Sequence, residues 1–118
     1  MGMATFSEIE EWLSTLGAGI AGLHLLREYG IRTSELEYFI ENFGKSRMSV
    51  SAFAPPPLKN QYEPILTKTE TKLRSGLENI LHIDVSNEEI DEALKDIREL
   101  YSLLRDIHQA TISGLIVV

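Results

Sequence analysis

The 118-residue sequence predicts a mainly α-helical domain of about five helices. Three observations predict it. Apolar residues recur at intervals of three and four along most of the chain. Four of these patterns open on a Ser or Thr three residues ahead of a Glu, the spacing of a capping box. The last pattern, Asn87–Ser113, holds no Gly or Pro and carries a wide apolar stripe, as a helix with more than one neighbour does.

Ser7 and Glu10 open the first helix, and Ile9, Trp12, Leu13 and Leu16 form its apolar face. Gly17 and Gly19 then either break it or leave a weak point, since each interior Gly costs roughly 1 kcal/mol against Ala. A second helical stretch covers Ile20–Tyr29, and Gly30 follows as a natural C′ residue. Thr33 and Ser34 are cap candidates for the next helix, Ser34 pairing with Glu37. Leu36, Phe39, Ile40 and Phe43 form its buried side, and Gly44 ends it. Met48, Val50 and Ala52 alternate with Arg47, Ser49 and Ser51, a period of two that suggests a short strand. Pro55–Pro57 stop that strand, and Gln61–Leu66 form either a returning edge strand or an extended entry. Thr67 and Glu70 cap a helix running to about His82. Ser86 and Glu89 cap the last one, whose stripe is Ile90, Leu94, Ile97, Tyr101, Leu104, His108, Thr111 and Leu115. The short connection between these two helices makes them an antiparallel hairpin.

The chain is expected to be one domain, 1–118, in which 7–66 carry the first helices and a possible wing at 47–66, and 67–118 form the hairpin and the oligomerising part. The competing reading is an all-α bundle in which 45–63 are a loop.

Composition narrows the function classes. An apolar fraction of 43% and a charged fraction of 25% are ordinary for a globular chain. The absence of Cys excludes disulfides, thiolate metal sites and thiol catalysis. Glu8, Glu10 and Glu11 stand where a signal peptide would be basic. The longest uncharged run, the 15 residues Trp12–Leu26, is shorter than the roughly 20 that a membrane span needs. The expected location is cytoplasmic.

Charge is partitioned along the chain. Residues 1–43 balance to −5, 44–76 to +4 and 77–118 to −6. A charged partner feels the local field, so Lys45, Arg47, Lys59, Lys68, Lys72 and Arg74 are the candidate nucleic-acid-binding residues. The candidate oligomer interface is Leu94, Ile97, Tyr101, Leu104, His108 and Leu115, joined by the apolar tail.

Other motifs carry less. Gly17–Gly22 spell G-x-G-x-x-G, but no strand precedes it and no βαβ unit surrounds it. Close packing or a hinge explains it better than a nucleotide. His24, His82 and His108 do not converge, and no nucleophile motif occurs. No metal, cofactor or catalytic residue is expected.

Leu26–Leu36 and the segments after it resemble winged helix-turn-helix domains: a helix to Tyr29, a tight turn at Gly30-Ile31-Arg32, and a capped helix from Ser34. The resemblance spans roughly residues 7–82 and implies that Arg47–Phe53 and Gln61–Leu66 are a wing with Pro55–Asn60 at its tip. It implies a dimeric, non-enzymatic nucleic-acid-binding or regulatory protein. The would-be recognition helix, however, carries Glu35, Glu37 and Glu41, which oppose phosphate contact. The alternative is a small helical subunit or adaptor that assembles with protein partners.

Overall fold

The computed structural model describes residues 6–45 and 56–117, with side chains for 9–45 and 60–109. Among the described residues there are four helices and no strand: α1 (Phe6–Tyr29), α2 (Ser34–Lys45), α3 (Pro56–Ile80) and α4 (Asn87–Val117). The mainly α expectation holds. The five-helix count does not, because α1 runs unbroken through Gly17 and Gly19. The first helix starts at Phe6, one residue ahead of the expected cap Ser7.

The returning wing strand is also corrected. Gln61–Leu66 are helical and lie inside α3. Its expected partner, Met48–Ala52, lies outside the described residues. The error came from the prolines. The first amides of a helix have no intrahelical acceptor, so proline there removes no hydrogen bond. Pro56 and Pro57 occupy that first turn, and the triple-proline run therefore leads into a helix. Thr67 lies mid-helix as a result and caps nothing at α3's start.

The helix ends are closed by local and distant groups. Gly30 adopts φ 66° and its N–H donates to the Leu26 carbonyl at 3.0 Å, ending α1 in the left-handed cap that glycine alone takes freely. Thr33 caps α2, its Oγ1 accepting the Leu36 N–H at 3.1 Å; Ser34 is already the first helical residue. At α4 the expected capping box forms in full. The Glu89 N–H donates to Ser86 Oγ at 3.2 Å, and the Ser86 N–H donates to Glu89 Oε1 at 3.2 Å.

α4 is the central element and packs against both α1 and α3. Arg27 of α1 reaches Asp91 while Gly19 faces Ile97, and α3 turns back into α4 within six residues with Lys72 reaching Glu92 and Asp96, so α4 runs antiparallel to each flanking helix. α2 lies over α1 and touches α3. Its Leu36 sits on Gly22 and its Phe39 ring on Gly19, where Ile97 of α4 also closes in. These glycines are packing sites in the interior of a helix, with no nucleotide-binding turn. The core is a single cluster, including Leu16, Leu23, Leu36, Leu73, Leu77, Ile97, Leu100 and Leu104.

Candidate interaction surface

The six candidate basic residues do not share one state. Arg74 is turned inward. It donates to the Phe43 carbonyl at the end of α2, pairs with Glu70 at 2.9 Å and lies 4.9 Å over the Phe43 ring. Lys72 bridges to α4, 3.2 Å from Asp96 and 3.3 Å from Glu92. Asp96 is 1% exposed, so this ammonium covers the carboxylate that the α3–α4 interface buries. The hydrogen bond to Asp96, then that to Glu92, raises the Lys72 pKa above the ordinary lysine value. Lys45 and Lys68 are exposed. Arg47 lies outside the described residues, and Lys59 is in the first turn of α3 with its side chain outside them.

The candidate oligomer stripe is the chain's own core. Leu94, Ile97 and Leu104 are buried within the single chain, beneath α1 and α3. Tyr101 is half-buried and packs against the same cluster. His108 is half-buried, and the side chain of Leu115 lies outside the described residues. A helix with a stripe this wide finds its two neighbours in cis.

The surface that sequence reasoning missed is the end where α1 and α3 stop and α2 and α4 start. Arg32, in the α1–α2 turn, organises it. Its guanidinium donates to the Ile80 carbonyl and, at 3.1 Å, to the His82 carbonyl. α3 has no basic residue in its own last turn, so a cation from another element satisfies its last carbonyl, that of Ile80, and complements the dipole. This clamp holds the 30–33 turn beside the 81–86 turn. Arg27 ties α1 to α4 at the same end, 2.9 Å from Asp91.

Held there are the most exposed aliphatic side chain of the described residues and its neighbours. Ile83 is 96% exposed, Tyr29 73%, Ile31 50% and Leu81 43%, with Leu25 one turn further down α1. Single exposed apolar residues are unremarkable, but a group at one end is informative. The surrounding charge has one sign. Glu28, Glu78, Asp84 and Glu88 are all exposed. The only cations within 25–34 and 77–91, Arg27 and Arg32, are tied to Asp91 and to backbone carbonyls. The sequence signal was available: Ile31 and Ile83 are large aliphatic residues in turns, where polar ones are the rule.

Chemistry at other places is sparse. Among the described residues no three of His, Asp and Glu gather as metal ligands, and no helix is long and apolar enough to cross a membrane. Two of the grooves among the described residues are open. One, of about 840 Å³, runs along α3 past Thr67, Lys68 and Thr71; the other, of about 610 Å³, lies between Ala18 of α1 and Tyr38 of α2. His24 Nε2 contacts the Arg98 guanidinium, which can only donate, so the imidazole accepts. Searches of family models, curated proteins and solved structures returned no match to the chain.

Proposed function

We propose that this chain is a non-catalytic helical adaptor that assembles with a protein partner through its turn end. One observation carries the reading. Tyr29, Ile31, Leu81 and Ile83 are held exposed at one end of a chain whose core is complete without them. Leaving such side chains in water forgoes burial worth roughly 1.5–3 kcal/mol for the nearly fully exposed Ile83 and about half of that for Ile31 and Leu81, and a partner that covers them recovers it. Tyr29 adds a residue type that is enriched among the energetic centres of interfaces.

The nucleic-acid reading has weaker support. Lys72 and Arg74 already serve contacts inside the fold. The exposed side of α2 presents Glu35, Glu37 and Glu41, which repel phosphate.

The test is a photo-crosslinking residue placed at Ile83, with Lys68 as the control position. The adaptor reading expects a discrete protein adduct at Ile83, lost on Tyr29→Asp. Equal labelling from both positions, or an adduct that survives Tyr29→Asp, contradicts it.

A further inference from the structure

We infer that the segment covering the turn end is an amphipathic helix of a partner protein with Lys or Arg flanking its apolar face. The inference rests on the adaptor reading and names the partner's chemistry at that same surface.

Charge selects the sign. The rim carries Glu28, Glu78, Asp84 and Glu88, while both local arginines are tied down. An acidic segment meets no lysine and no uncommitted arginine there. The α4 N-terminus, the usual place for an anion, already has Ser86 on its Glu89 N–H and acidic Glu88 and Glu89 in its first turn. A basic flank meets the exposed carboxylates of the rim.

Charge also rules on a second copy. A two-fold dimer through this end is self-complementary in surface. It would set Asp84 and Glu88 of one copy against the same acidic rim of the other, and like charges brought together at an interface cost several kcal/mol.

Backbone chemistry selects a helix. An extended peptide gains affinity by pairing with a free sheet edge, and the described residues contain no strand. Two carbonyls where the turns meet are already in use: Ile80 and His82 accept from Arg32, and His82 also accepts from Val85 N–H. The occupant must therefore satisfy its own backbone, which a helix does.

Two synthetic peptides of about 18 residues, roughly five helical turns, test this against the full chain by amide chemical-shift mapping. One is a Leu/Lys amphipathic helix, the other a Leu/Glu helix with the same apolar pattern. The expected result is that the Leu/Lys peptide shifts amides of residues 28–32 and 81–86 and binds about tenfold or more tighter than the Leu/Glu peptide. Ile83→Asp separates this from generic attraction. It adds negative charge at a fully exposed site, so indiscriminate binding would tighten; loss of an apolar anchor predicts weakening of about tenfold. Unchanged or tighter binding by Ile83→Asp, or shifts centred on Glu35, Glu37 and Glu41, overturns the inference. If the Leu/Glu peptide binds the turn end as well as the Leu/Lys peptide, the partner's charge is wrong and the adaptor surface stands. If neither binds, both are wrong.

Discussion

At the scale of single residues, the glycines of α1 divide by what stands over them. A Cβ at Gly19 would lie 2.6 Å from the Phe39 ring and 2.9 Å from Ile97, whereas one at Gly17 would meet nothing within 4 Å. Gly19→Ala is expected to destabilise by about 1–3 kcal/mol, because the ring and the Ile97 methyl must both shift. Gly17→Ala is expected to stabilise by up to about 1 kcal/mol through helix propensity alone. Urea midpoints of the two variants check both signs. The sequence shows three glycines close together but not which of them packs, because the groups that decide it come from α2 and α4. The same limit applied to Arg74. Its charge was legible, and its inward turn onto Phe43 and Glu70 depended on where α2 ends.

At the scale of elements, the helices are defined as much by their ends as by their faces. Pro64 sits inside α3, where it removes a backbone donor and crowds the carbonyl of Asn60. Pro64→Ala is therefore expected to raise stability by about 1–3 kcal/mol in thermal unfolding. Arg32→Met should cost about 1–2 kcal/mol by freeing the Ile80 and His82 carbonyls, with faster amide exchange confined to the 78–86 region. Lys72 adds a pH dependence with a definite sign. Its pKa is raised in the folded chain, chiefly by Asp96 and then by Glu92. Its contribution is thus fully present below the unfolded lysine value and is lost as pH rises through the folded one. Alkaline unfolding should begin earlier for the wild type, relative to its neutral-pH stability, than for Lys72→Met. Among the caps, Gly30 and the Ser86–Glu89 box were legible because both are local patterns. The helix over Gln61–Leu66 was obscured by Pro64. Yet Tyr62, Leu66, Thr69, Leu73, Leu77 and Ile80 step by three and four, and all six lie toward the interior.

At the scale of the whole molecule, α4 explains both what was legible and what was misplaced. Its stripe marked it as a helix with several neighbours, and the hairpin with α3 followed from the short connection. The stripe could not say whether those neighbours belonged to the same chain. They do: α1 and α3 cover Leu94, Ile97 and Leu104. Ile97→Asp should therefore unfold the chain, at a cost above about 4 kcal/mol, because a charge would be buried without a partner. The turn end was illegible for a related reason. Ile31 and Ile83 lie far apart in sequence, and it takes the packing of α1 and α3 on α4, with the Arg32 clamp, to bring their turns together. The central claim is that this end is the binding surface. Amide hydrogen exchange of the chain, alone and with the partner recovered by the Ile83 crosslink, tests it most directly. The account predicts protection gained at 28–32 and 81–86. Protection gained along α3 around Lys68 or on the exposed side of α2, with the turn end unchanged, would contradict it.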